Sequence, residues 1–204
     1  MDAFNYLGVM VSIIVGLGLT QLFAGIGNLV QIRRRVQRYW LHTIWVFVLI
    51  ALHIHMWWSL WALRVHADWT FGYFLYVLLG PGLLVIASHI VIPELVDRRI
   101  EVEQHYFDTA PLFFGILAAA ATWAMLVEPI MGLRSFFVPF RAAQGVGVIS
   151  LICCAVTSNR RVHAVATVVI VLVLAFSITL ARFHLTQVDP VPVPAAVQSP
   201  INSQ

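Results

Sequence analysis

Two histidines separated by a single residue, His53 and His55, stand in the stretch LHIHMWWSLW (52–61) beside Trp57, Trp58 and Trp61. Imidazole binds metals and exchanges protons near neutral pH, so this stretch is where chemistry would first be sought. Whether the two rings act together depends on the element that carries them. On a strand, residues i and i+2 share a face and chelate jointly; on a helix they diverge by about 200°. The alternation over ~10 residues that a membrane strand needs is absent, so a helix is expected and the pair is not a chelate. No two histidines anywhere in the chain have the three- or four-residue spacing of a helical metal pair. His53 is the expected inward-facing member, because His42, Trp57 and Arg64 continue its face, whereas His55 points toward Ser59.

Other polar groups in apolar surroundings form a second candidate set. The stretch GLGLTQLFAGIGNLV (16–30) carries Gly16, Thr20, Ala24 and Gly27 on one helical face and Gly18, Gln21, Gly25 and Asn28 on the opposite one. Small residues on both sides allow two close neighbours, which predicts a central helix. Gln21 and Asn28 then either bond to adjacent helices or line a permeation path or ligand cavity. Gly80-Pro81-Gly82 predicts a kink or break, because proline lacks the N–H donor and crowds the preceding turn. Freed carbonyls at Pro81 are a further candidate ligand site. A haem or metal alternative rests on His42, His89 and His163. The first two are expected at matched depth near one membrane boundary, and His163 lies at the same boundary.

What must position these groups follows from composition. The chain has 204 residues, 61% hydrophobic and 10% charged, against about 25% charged in soluble domains. A soluble core could not hide that apolar surface; a bilayer can. The net charge of +3 is small and scattered, which argues against a nucleic-acid partner. Cys153 and Cys154 are adjacent, a spacing that rarely reaches disulfide geometry, and are read as reduced packing residues. All twelve basic residues are arginine, a bias that points to a bacterial chain and hence an inner-membrane location.

Crossing a bilayer takes roughly 20 apolar residues per helix. Six such segments are expected, at about 4–32, 40–63, 70–93, 109–131, 136–158 and 162–184. The fifth is the shortest and reaches full length only if Arg141 sits inside the bundle or near an interface. Asp2 and the length of the first segment do not fit a cleaved leader, so a retained helix is expected. Arginines cluster after helix one (Arg33, Arg34, Arg35, Arg38), helix three (Arg98, Arg99) and helix five (Arg160, Arg161). The alternate connections carry only Arg64 and Arg134, and Arg182 lies near the last helix end. The positive-inside rule therefore puts both termini outside. Tryptophans at the ends of helix two, with Tyr39, suit aromatic belts at headgroup depth. After helix three a charged surface helix is expected, with pairs Glu94–Arg98 and Arg99–Glu103, and Glu128 is expected to pair with Arg134.

The sequence thus predicts an all-α, polytopic six-helix bundle over residues 1–186, N-out and C-out. A disordered proline-rich tail over 187–204 follows it. No phosphate loop, metalloprotease motif, serine elbow or Cys-x-x-Cys is present, and no paired carboxylates lie within a span. A non-enzymatic role is expected, either conducting a small solute or serving as an accessory membrane subunit. The alternative is a redox subunit binding haem or quinone; no cofactor is otherwise predicted. The bilayer itself is the expected partner, together with a homo- or hetero-oligomer formed through helix one.

Overall fold

The computed structural model describes residues 3–34, 36–37, 39–66, 68–93, 100–133, 135 and 139–180. Six α-helices account for nearly all of them: α1 (Ala3–Gln31), α2 (Trp40–Ser59), α3 (Phe71–Val91), α4 (Val102–Ile130), α5 (Pro139–Val156) and α6 (Arg160–Leu180). A 3₁₀ turn, Leu60–Val65, prolongs α2. Five of these segments are long and apolar enough to cross a membrane; α5 contributes a shorter apolar stretch, Arg141–Val156. Large apolar side chains also cover the outside, Phe71 at 81% exposure and Val156 at 79% among them. Such a surface suits lipid and not water, as expected of a multi-pass membrane protein.

Local chemistry sets the helix ends. Thr70 accepts a hydrogen bond from the Tyr73 amide at 3.3 Å, capping α3, and Asn159 Oδ1 accepts from the Arg161 amide at 3.0 Å, capping α6. At the other end of α4, Gly132 adopts φ +69. Its amide bonds the Pro129 carbonyl at 3.0 Å, and the Leu133 amide bonds the Glu128 carbonyl at 2.9 Å. These two reversed bonds, with a residue in the left-handed region between them, are a Schellman motif, and glycine takes that conformation without strain. The fourth helix begins at Val102, earlier than the apolar segment near 109 suggested, because the polar turn through Glu103 and Asp108 continues it.

The helices close a ring in which α1 packs on α2 and α3, α4 joins α3 to α5, and α6 returns to α2. Trp45 of α2 is fully buried against Phe113 and Phe114 of α4, edge to face, with ring centres 5.7 and 4.9 Å away. A second apolar cluster fills the opposite end, around Leu7, Leu63, Val77 and Trp123. Two short strands, β1 (Val36–Gln37) and β2 (Ile100–Glu101), pair in parallel and tie the α1–α2 and α3–α4 connections together. An ion pair between Arg160 and Glu103 at 2.6 Å brings the start of α6 to the same end. Arg33, Arg34, Arg160 and Arg161 therefore share one end of the bundle.

Several expectations fall outside the described residues: Arg35, Arg38, Arg98, Arg99, Arg134, Arg182 and the 187–204 tail, with the Glu94–Arg98 pair. The expected Arg99–Glu103 pair also lies outside the described residues, and Glu103 pairs with Arg160. The expected Glu128–Arg134 pair likewise lies outside the described residues, and Glu128 pairs with Arg141 at 3.3 Å.

Candidate functional site

His53 and His55 occupy different surroundings. His53 is fully buried, and His55 is half-buried, 3.5 Å from the Ser59 hydroxyl. The Nδ1–H of His53 donates to the Leu49 carbonyl one turn earlier, at 2.8 Å, which leaves Nε2 as the unprotonated nitrogen. That atom is buried and has no hydrogen-bond partner. It faces Gly18 of α1 so closely that a methyl group there would overlap the imidazole. Neither Gln21, half-buried, nor Asn28, exposed, hydrogen-bonds to it.

Helix one is consequently two-sided, and not central as its small residues suggested. Leu7, Val11, Val15, Gly18, Leu22 and Gly25 form the packed face. Gly25 gives its space to Ile92, just as Gly18 gives way to His53. Gly16, Thr20, Ala24 and Gly27 lie on the exposed face, and nothing approaches a Cβ position at Gly16 or Gly27.

Of the kink or break expected at Pro81, no break occurs: α3 runs as one helix from Phe71 to Val91 with Pro81 buried inside it. The preceding residue explains the tolerance. Gly80 admits the Trp123 ring against the helix, and the Trp123 indole N–H donates to the Tyr76 carbonyl at 2.8 Å. A neighbouring side chain thus supplies a donor beside the turn that proline disturbs.

At the arginine-bearing end, the other histidines are engaged with backbone. The last carbonyls of a helix lack intrahelical donors. Those of α3 find them on neighbouring helices: His42 Nε2–H donates to Val91 at 2.7 Å, and His105 Nε2–H donates to Ile90 at 3.0 Å. His163 is fully buried; its Nε2–H donates to the Thr157 carbonyl at 2.7 Å, and its Nδ1 accepts from the Tyr106 hydroxyl at 2.9 Å. The Thr167 hydroxyl donates to the His163 carbonyl at 2.7 Å and accepts from the Trp45 indole at 3.1 Å. His89, by contrast, is exposed and bonds back to Val85 of its own helix at 3.0 Å. The three histidines of the haem alternative thus hold three different carbonyls. Among the described residues no group of three His, Cys, Asp or Glu side chains is placed to hold a metal ion.

The opposite end carries Arg141, whose partners the sequence reading did not name. Arg141 is 6% exposed; its Nη2 pairs with Glu128, its Nε donates to the Ser135 carbonyl, and its Nη1 donates to the Met125 carbonyl. Pro129 stands four residues after Met125 and has no N–H to offer that carbonyl. The arginine fills the vacancy. The proline's position, four after an apolar carbonyl, was the sequence signal for it.

Two grooves lie on the flanks. One, of about 260 Å³, runs between α1, α2 and the start of α4, with Tyr39, His42 and Thr43 among its walls and exposed Val30 and Phe47 at its opening. Burial, with the Glu103 carboxylate nearby, holds the Tyr39 phenol above its ordinary pKa, so it remains a neutral group. The other, of about 560 Å³, lies between the N-terminal half of α1 and Trp57, Trp58 and Trp61. There the Trp57 indole donates to the Ser12 hydroxyl at 3.0 Å.

Fold and polar sites together define a class, a helical multi-pass membrane protein. Compared with protein-family models, curated proteins and solved structures, the chain matches none.

Proposed function

We propose that this chain is a non-catalytic membrane subunit that associates with another membrane chain, or with a second copy of itself, through the exposed face of α1. The observation that carries the reading is the contrast across that helix. Gly18 and Gly25 are filled by His53 and Ile92, while Gly16 and Gly27 are open on a face that also presents Thr20. In lipid, helix association depends on close approach of backbones, which small residues permit. The conducting alternative has less support, because His53 is sealed against Gly18 and Asn28 is exposed.

The reading includes six crossings of a bacterial inner membrane with both termini outside. The described α5 spans about 27 Å at 1.5 Å per residue, close to the ~30 Å hydrocarbon core. Its early arginine is paired with Glu128, so burying it carries less of the cost of an isolated charge. Arg33, Arg34, Arg160 and Arg161 at one end favour the cytoplasmic side for that end.

The test is association in a bilayer. With Cys153→Ser and Cys154→Ala as background, Gly27→Cys in lipid nanodiscs or native membranes is expected to give a disulfide-linked species when a thiol oxidant such as copper phenanthroline is added. Gly16→Leu with Gly27→Leu is expected to abolish association while leaving helicity unchanged. A chain that stays single in native membranes, with no crosslinked species from Gly27→Cys, would overturn the proposal.

A further inference from the structure

We infer that the groove between α1, α2 and the start of α4 holds an anionic phospholipid of the surrounding bilayer, one acyl chain along its apolar wall and the phosphate at Arg33 and Arg34. The inference rests on the membrane placement proposed above and not on association through α1. Ile26, Leu29, Val46 and Phe47 make the wall apolar, and exposed Val30 and Phe47 open it sideways to lipid. The polar part is at one end only, where Tyr39, His42 and Thr43 line the groove. Arg33 and Arg34 lie in the turn directly after α1, where the Arg33 amide bonds the carbonyl of the lining residue Val30 at 3.3 Å, which keeps this turn at the groove's polar end. Both guanidinium-bearing residues are exposed.

Charge decides which lipid. The nearest carboxylates on the groove's far side, Glu101 and Glu103, flank the lining residue Val102. Glu103 is already held by Arg160, so among the described residues of this connection Glu101 is the carboxylate left to oppose the two arginines. His42 uses its Nε2–H on Val91 and contributes a ring wall. Trp40, 54% exposed at the start of α2, suits headgroup depth beside the rim. A basic rim over an apolar slot at one membrane boundary matches an anionic headgroup with its chain, and a zwitterionic headgroup gains less from it.

Native mass spectrometry of the full chain, released from nanodiscs, reads the bound lipid directly. The probes are phosphatidylglycerol and phosphatidylcholine with identical acyl chains. Wild type is expected to retain phosphatidylglycerol preferentially. Arg33→Gln and Arg34→Gln are each expected to lower that preference about fivefold, the factor for the ~1 kcal/mol attraction of one basic side chain. Val30→Trp, at an exposed position, is expected to displace the lipid by filling the opening. Equal retention of the two lipids by wild type, or a preference untouched by both glutamine variants, would overturn the assignment. So would protection of the groove only in a dimer and regardless of lipid, which would seat a second copy there. The same spectra report oligomeric state, so a monomer that keeps its anionic lipid supports this site while counting against association through α1.

Discussion

The two ends of the bundle meet the same difficulty with different donors. Each exposes backbone carbonyls that its own helix cannot satisfy: those of Ile90 and Val91 where α3 ends, and that of Met125 ahead of Pro129. At the arginine-bearing end the donors are imidazoles, His105 and His42, and they bring no counter-ion. At the other end the donor is Arg141, and Glu128 accompanies it. A neutral donor can be buried alone, whereas a guanidinium removed from water needs an opposite charge. An arginine at the sparsely basic end therefore need not oppose the topology that the other arginines favour. Paired with Glu128, Arg141 contributes little net charge to that side.

Removal of the charged donor is expected to have the largest effect. Arg141→Met keeps length and apolar bulk but strips Glu128 of its buried partner and Met125 of a donor. A loss of about 3 kcal/mol is expected, measured as a shift in the unfolding midpoint of detergent-solubilised protein followed by tryptophan fluorescence. Adding Glu128→Gln to that variant is expected to restore part of the stability, because the charge that Arg141 balanced is then gone. If the double variant is no more stable than Arg141→Met, Glu128 is not serving as the counter-charge.

A smaller effect is expected from the neutral donor. His42→Ala leaves the Val91 carbonyl buried without its side-chain partner, at an expected cost of about 1–2 kcal/mol in the same unfolding assay. His42→Gln, which can still donate an N–H, is expected to recover much of it. Equal losses for Ala and Gln would mean that ring packing, and not the hydrogen bond, is what His42 supplies.

How far these donors were legible in the sequence differs between the ends. The helical class follows from apolar run lengths alone, and helical geometry separates His53 from His55 before any contact is known. The faces of α1 were not legible, because lipid and core are both apolar and the usual contrast in hydrophobicity disappears. Only distant residues, His53 and Ile92, decide that Gly18 and Gly25 face inward. Likewise His42 meets Val91 across 49 positions, which no local pattern encodes. Arg141 lies nearer to legibility: Pro129 marks the Met125 carbonyl as needing a donor, and an arginine follows within one turn and a loop. The expected Glu128–Arg134 pair lies outside the described residues, and the Arg141 partner that the α4–α5 packing brings to Glu128 was not read from the sequence.

The smallest effect concerns His105, the second imidazole at the end of α3. Its bond to Ile90 is of ordinary length at 3.0 Å, but the contact is only part-buried, whereas the His42 bond is buried. At a membrane boundary water can replace a lost donor, so His105→Ala is expected to cost less than about 1 kcal/mol. Both histidines nevertheless hold consecutive carbonyls of one helix end. If that end moves as a unit, loss of one donor loosens the other, and the double variant His42→Ala with His105→Ala departs from additivity. If water stands in for His105, the two losses simply add within the ~0.5 kcal/mol usual for independent sites. The part-buried setting of His105 favours additivity. A coupling clearly above that margin in the double-variant unfolding cycle would show instead that the two imidazoles act as a single clasp on α3.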